Sequence, residues 1–335
     1  MKKKIMRHIN NIKRYGLMVE LKTLFNNKIK GDHFDYDLKY ARQKYYQALN
    51  RNRYEPELKR WYYDKTGHML DLANPRRFTE KIQYLKLYGF GDMETKLADK
   101  YRVREWVKNE IGEEYLIPLL GVWENPDDID YSMLPDSFVL KGNHGSQMNL
   151  IIKDKSLMNV KKTNEKLKQW LLLDFAHCLG CFEMQYQNIP RRIIAEKYMV
   201  DDRFSDLVDY KFHCFNGKPE YCEVILNRTS NETIDYFDME WKHQNFIDES
   251  VTSKVKNSEK KIEKPELFEE MKKVASILCR KFSYVRVDLY NINKRIYFGE
   301  MTFSPSAGAD IFNPDSADFM LGELLELRDR NYKND

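Results

Sequence analysis

The sequence contains no run of eighteen apolar residues, so nothing in it reads as a helix that crosses a bilayer. The N-terminal residues are not expected to act as a signal peptide. The chain begins Met1-Lys2-Lys3-Lys4-Ile5, but Arg7, His8, Asn10, Asn11, Lys13 and Arg14 break up the apolar core that such a leader needs. Cysteine is sparse, five residues and an odd number, which fits a reducing compartment and an expected cytoplasmic location. Cys178-Leu179-Gly180-Cys181 has no second pair in register, so it reads as ordinary thiols ahead of a zinc or redox site. Internal repeats and low-complexity tracts are absent. A basic body is absent too: residues 1–30 hold nine Lys or Arg against Glu20, a charge of +8, and the whole chain carries +4, so the rest sums to −4. That balance excludes a nucleic-acid-binding body.

What is present is enough for a substantial core. The 335 residues are 42% hydrophobic and include 22 tyrosines, which excludes global disorder and implies two or three subdomains. In the basic segment, Ile5, Ile9, Ile12, Leu17, Leu21, Leu24 and Phe25 recur at roughly helical spacing. Two readings stay open, attachment to an anionic membrane surface and a terminal helix packed on the body. Tyr36 to Tyr63 is helical in pattern. Asn74-Pro75-Arg76-Arg77 leads into a helix over 80–88 with Thr79 as its cap, and a second helix is expected over 96–111. Tyr115 to Gly121 reads as a strand. Further helices are expected over 164–172 and from Pro265 to Phe282, and Asn216-Gly217 marks a hairpin.

Two local patterns carry chemistry. In Tyr284-Val285-Arg286-Val287-Asp288-Leu289-Tyr290 the alternation places Arg286, Asp288 and Tyr290 on one strand face. Phe298, Glu300 and Thr302 are in phase on the strand that follows. Asp288 and Glu300 share a face only if an odd loop such as 292–294 joins the strands, which pairs Arg286 with Glu300; an even turn separates them. On one face the two carboxylates repel unless a cation intervenes, and Mg2+ with nucleotide phosphates is the natural partner. A surface hairpin with a simple ion pair is the other reading. The second pattern is Ser137-Phe138-Val139-Leu140-Lys141 running into Gly142-Asn143-His144-Gly145-Ser146-Gln147-Met148-Asn149. A glycine-containing loop between strands, preceded by a lysine, suits phosphate binding, although a tight hairpin with a chance lysine fits as well.

Set in order, these pieces resemble the ATP-grasp superfamily, and within it the TupA-like branch associated with teichuronopeptide and capsular or other surface polysaccharide biosynthesis. The resemblance covers roughly residues 60–327. It rests on Asn74 to Gln83, Asp99-Lys100-Tyr101, Leu134-Pro135 through Ser146, Ala195-Glu196-Lys197-Tyr198, Asp209 to Phe212, Phe215-Asn216-Gly217-Lys218-Pro219, Arg286 to Tyr290 and Phe298 to Phe303.

The resemblance implies an α+β ATP-grasp fold in which two antiparallel-sheet subdomains grip ATP. The expected divisions are a basic helical extension at 1–60, an N-terminal subdomain at 61–134, a small subdomain with the phosphate loop at 135–195 and a large subdomain with the metal site at 196–327. Lys100 and Lys141 would contact the phosphates, and Gly142, Gly145 and Ser146 would cover them. Glu196, Lys197, Tyr198 and Met199 would form the adenine hinge, with Asp209 on the ribose. Asp288, Glu300 and Thr302 would hold Mg2+, while Lys211 and Arg286 would act on the transferred phosphoryl group. Thr302 stands where asparagine is usual, Gln147 where glycine is common, and Ala98 where threonine is more usual.

The implied reaction is ATP-dependent joining of a carboxylate and an amine through an acyl-phosphate, the carboxylate being a uronic acid or amino acid. His144, Ser304 and Ser306 are candidates for the acceptor side. The expected partners are small-molecule or glycan substrates, with peripheral membrane contact through the basic N-terminus. Alternatives are an ATP-grasp kinase, a glycosyltransferase using Asp128-Ile129-Asp130 as a metal-binding motif, and a non-catalytic binding protein.

Overall fold

The structure is a computed structural model that describes residues 9, 11–21, 36–249 and 256–327. Most of the basic segment at 1–30 lies outside these residues, and the described parts of it, 11–15 and 17–21, are helical. No helix among the described residues is long and apolar enough to cross a membrane.

After the basic segment come helices α1 (Tyr36–Gln47) and α2 (Tyr54–Thr66), the second ended by Gly67 at φ 79°, the left-handed cap glycine adopts at least cost. Helix α3 (Phe78–Tyr84) starts before the expected Thr79 cap. Glu80 in its first turn reaches back to the residues before the helix, its carboxylate accepting from the backbone N–H groups of Arg76 (2.9 Å) and Arg77 (3.0 Å). Thr79 faces inward and donates to Asp318 at 2.7 Å.

The single helix expected over 96–111 is two, α4 (Asp92–Ala98) and α5 (Val103–Glu110). Asp99 breaks it. Its backbone is extended (φ −74°, ψ 110°) and its Oδ1 accepts from the N–H groups of Tyr101 (2.9 Å) and Arg102 (3.3 Å), which an unbroken helix would tie to its own carbonyls. Lys100 is thereby presented on a loop.

The first sheet combines β1 (Leu119–Trp123), β2 (Phe138–Gly142), β3 (Asn149–Ile152) and β4 (Ile193–Lys197) in the antiparallel order β1-β4-β2-β3. β1 lies a few residues beyond the expected 115–121. Phe138 and Leu140 alternate with Val139 and Lys141, so the first pair packs under α6 (Val160–Leu172) against Leu167 and Trp170 while Lys141 stays on the open face. A short helix, α7 (Phe175–Cys178), closes this core.

The second sheet has the order β10-β9-β5-β6-β7, with β5 (Asp209–Phe215), β6 (Lys218–Leu226), β7 (Thr233–Asp238), β9 (Tyr284–Ile292) and β10 (Arg295–Thr302). A two-stranded ribbon of β8 (Ile247–Asp248) and β11 (Phe312–Asn313) sits beside it. One face packs Phe212, Cys214, Val224, Val285, Val287 and Leu289 on α8 (Phe268–Cys279), shorter than the expected span to Phe282. Each such large apolar side chain contributes about 1.5–3 kcal/mol on burial. Helix α9 (Ser316–Leu324) returns to α3, where Asp318 meets Thr79 and Arg77. Between β5 and β6 the expected Asn-Gly turn forms, with Asn216 at φ 49° and Gly217 at φ 83°.

The β9–β10 hairpin reaches the expected arrangement by another route. Its turn is even, Asn293-Lys294, both with positive φ. Carried on regularly, that register would put Asp288 and Glu300 on opposite faces. A bulge at Gly299 shifts the register by one residue, so Asp288 pairs with Glu300, and Arg286 pairs with Thr302 in place of the expected Glu300.

Candidate nucleotide and metal site

The second face of the large sheet is polar and mostly buried, an expensive arrangement for a structural surface. Cross-strand register sets Glu223, Lys211, Asp288 and Glu300 side by side across β6, β5, β9 and β10. The next rung holds His213, Arg286 and Thr302, and the rung on the other side holds Asp209 and Tyr290. Along the first rung Lys211 stands between Glu223 and Asp288, while Asp288 and Glu300 are adjacent carboxylates whose other cations, Arg286 and Lys100, come from outside the rung.

The pairs are close. Arg286 grips Asp288 through Nε and a terminal nitrogen, both at 2.7 Å, and its terminal nitrogen also reaches Thr302 Oγ1 at 3.3 Å and Glu300 Oε1 at 3.7 Å. Thr302 donates to Glu300 Oε1 at 3.2 Å. Lys100 donates to Glu300 Oε2 at 2.8 Å, which ties the loop between α4 and α5 to the large sheet. Burial pushes the Glu300 carboxyl up, but Lys100 and then Arg286 outweigh it and hold the group well below the usual carboxylate range. Glu223 behaves alike: Lys211 and a 3.0 Å contact from His213 Nε2 overcome its burial and keep it ionised.

The small sheet supplies the opposing wall. Lys141 donates to Glu196 Oε2 at 2.6 Å, and Arg104 of α5 donates to Glu196 Oε1 at 3.0 Å. Glu196 and Lys197 end β4, and Tyr198 and Met199 begin the link from the small sheet toward β5. The Lys141–Asn149 pair closes the loop of Gly142, Gly145 and Ser146. Gly145 is packed so closely that a Cβ there would lie 2.3 Å from the Phe175 ring. Gln147 takes φ 61°, the left-handed conformation that glycine adopts without strain.

These walls enclose one cleft. It is lined by Lys100, Lys141, Glu196, Lys211, Asp288 and Glu300, together with Asp209, Arg228, Tyr290, Asn149 and Gly299, and its space is about 550 Å³, part of it open to solvent. Arg228, Asn149, Tyr290 and Arg104 are absent from the sequence-derived set. Tyr290 shares the alternation of Arg286 and Asp288 and was open to discovery; Arg228 and Arg104 carry no local signal.

Other candidates lie elsewhere. His144 is buried, with Nε2 3.1 Å from the Trp170 carbonyl and Nδ1 3.2 Å from Asn143 Oδ1, and burial lowers its pKa to about 4. It braces the loop. Ser304 is buried between Glu183 and Gln185, at 2.7 and 2.6 Å. Asp130 accepts from Ser132 in a turn, and Cys178 and Cys181 are buried free thiols.

Among the described residues no three His, Cys, Asp or Glu side chains converge on one point. Glu300 and Asp288 nevertheless fit a hard cation that draws its other ligands from phosphate and water. Both line the cleft, and Arg286 occupies only part of the lone-pair capacity of Asp288.

Likenesses to solved structures are of low score. D-alanine–D-alanine ligase from Bacillus anthracis complexed with ATP is 17% identical over 72% of this chain and 71% of its own, with a TM-score of 0.44. The Helicobacter pylori D-alanine–D-alanine ligase is 12% identical over 74% and 69%, with a TM-score of 0.38. The ATP-grasp ligase PsnB with precursor peptide PsnA2 and AMPPNP is 8% identical over 70% and 60%, at 0.36. No curated protein matches the sequence. The family model "TupA-like ATPgrasp" matches residues 80–326, most of the chain and all of the cleft, and the chain therefore belongs to the TupA-like ATP-grasp family.

Proposed function

We propose that the protein is an ATP-dependent carboxylate–amine ligase that works through an acyl-phosphate. The observation that supports this most is the convergence of Lys100, Lys141, Lys211, Asp288 and Glu300 on one cleft between two antiparallel sheets, with Arg286 behind Asp288. Lys100 and Lys141 hold the phosphates. Each is paired with a carboxylate beside the cleft, Lys100 with Glu300 and Lys141 with Glu196. Gly142, Gly145 and Ser146 cover the phosphates, the backbone after Glu196 through Lys197, Tyr198 and Met199 receives the adenine, and Asp209 lies at the ribose end.

Mg2+ held by Asp288 and Glu300, with Thr302 beside them, would neutralise phosphate charge and orient the terminal phosphoryl group. Arg286, fixed by Asp288, keeps a rigid positive charge beside that group, and Lys211 adds a second. The γ-phosphoryl group passes to a substrate carboxylate oxygen and ADP leaves. An amine then attacks the acyl carbon, phosphate departs, and the nitrogen gives up a proton. The substrates proposed are an amino acid and a uronic acid or similar sugar acid in surface polysaccharide assembly at the inner face of the membrane, the basic N-terminus providing peripheral contact.

Release of ADP and phosphate, screened across amino acids with uronic-acid acceptors, tests the reading, with Asp288→Asn and Glu300→Gln as controls. Equal amounts of ADP, phosphate and amide support ligation. A phosphorylated product without free phosphate would instead establish a kinase, and wild-type rates in both controls would remove Asp288 and Glu300 from the site.

A further inference from the structure

Arg228 is the one cleft cation that neither the alternation of the strands nor the resemblance assigns. It follows β6, and its Nε lies 3.0 Å from Asp209 Oδ2. Asp209 is 4% exposed, and burial pushes its carboxyl up against the pull of Arg228 and then Lys211. The Arg228 side chain remains 47% exposed and lines the cleft. The Nε contact with one carboxylate oxygen uses only part of the donor capacity of the guanidinium.

Strand register places this fork. Asp209 is two residues before Lys211 on β5, a displacement of about 7 Å along the strand. Lys211 faces Asp288, and Asp209 faces Tyr290. Arg228 therefore stands one rung from the Lys211–Asp288–Glu300 row, on the side away from Arg286 and Thr302. A triphosphate whose terminal group lies at that row and at Arg286 runs past Arg228 at its nucleoside end.

We infer that Arg228 binds the α-phosphate of the nucleotide with its terminal nitrogens, and that Asp209 is the positioning residue that orients it. The inference rests on the ATP reading and extends it. A guanidinium anchored at one edge loses little freedom when it binds a phosphate, and its planar fork suits two oxygens at once. Lysine in its place would keep the charge and lose the fork. Release of Arg228 from Asp209 on binding is disfavoured, because it would leave a buried carboxylate without its cation.

The test is equilibrium binding of ATP, AMP and adenosine, each with Mg2+, to the full-length wild type, Arg228→Ala, Arg228→Lys and Asp209→Asn, with the thermal midpoint of each recorded. Arg228→Ala is expected to weaken ATP and AMP by the same factor, about tenfold to a hundredfold, and to leave adenosine unchanged. Arg228→Lys recovers part of the loss, and Asp209→Asn, which keeps an acceptor oxygen but not the charge, gives a smaller one. Equal losses for AMP and adenosine, or none for ATP in Arg228→Ala, would overturn the assignment while leaving the ATP site standing. If Arg228→Ala does not fold, Arg228→Lys decides by the same ratio of AMP to adenosine. Wild type that binds no nucleotide would overturn both this inference and the ATP reading.

Discussion

Replacing Arg286 with methionine removes the guanidinium but keeps most of the side-chain volume. Arg286 is 9% exposed and Asp288 5%, and the two share two hydrogen bonds of 2.7 Å. Losing one partner of a buried pair costs about 3–5 kcal/mol, because the remaining charge keeps its desolvation penalty without its attraction. Lys211 faces Asp288 from β5 and takes up part of that charge, so the lower end applies, about 3 kcal/mol. With an unfolding entropy of about 2.1 cal/mol/K per residue, the 335-residue chain shifts by about 1.4 °C per kcal/mol, so the thermal midpoint should fall by about 4 °C. Adding Asp288→Asn removes the orphaned charge, and the double variant should recover at least half of the loss. Differential scanning fluorimetry on the four proteins of this cycle reads both values. An Arg286→Met midpoint within about 1 °C of wild type, or a double variant no better than the single, would show that Asp288 is solvated and that Arg286 does not stand behind it.

Two further predictions concern the loops that carry the site. Asp99→Ala frees the N–H groups of Tyr101 and Arg102 and removes the 2.8 Å contact from Asn143, so Lys100 loses its placement; the apparent KM for ATP should rise about tenfold with a smaller change in kcat, and an unchanged KM would contradict the role given to this break. His144 is neutral in the fold, with its pKa lowered from 6.5 to about 4, so the unfolded chain binds the extra proton on acidification. Its contribution is complete above pH ~6.5 and is lost progressively as pH falls toward ~4, about 3 kcal/mol in all. The difference in unfolding free energy between wild type and His144→Asn should shrink over that window, and a difference that holds constant with pH would refute it.

The sequence makes some of this architecture visible and conceals the rest for identifiable reasons. Alternation in β9 is local, so the shared face of Arg286 and Asp288 can be read from residue types. The pairing of Asp288 with Glu300 depends on a bulge at Gly299, and an isolated glycine inside a strand is a bulge signal that the alternation of the flanking residues does not use. The interruption between α4 and α5 escapes a periodicity reading because Asp99 competes with the helix through two hydrogen bonds from its side chain, while the apolar spacing on either side stays helical. These ion-pair partners are set by strand pairing within each sheet and by how the α4–α5 segment packs against both sheets. Glu196 for Lys141 and Arg104, Glu300 for Lys100 and Asp209 for Arg228 are separations of 55, 92, 200 and 19 residues, beyond the reach of any local pattern.

The most direct test of the central claim is calorimetric titration of ATP into the wild type and the Asp288→Asn/Glu300→Gln double variant, each with Mg2+ and with EDTA. The wild type should bind ATP at least tenfold more tightly with Mg2+ than without it. The double variant should lose that difference while retaining the metal-free affinity that Lys100 and Lys141 provide. An equal Mg2+ effect in both proteins would place the metal elsewhere, and wild type that binds no ATP under either condition would contradict the account as a whole.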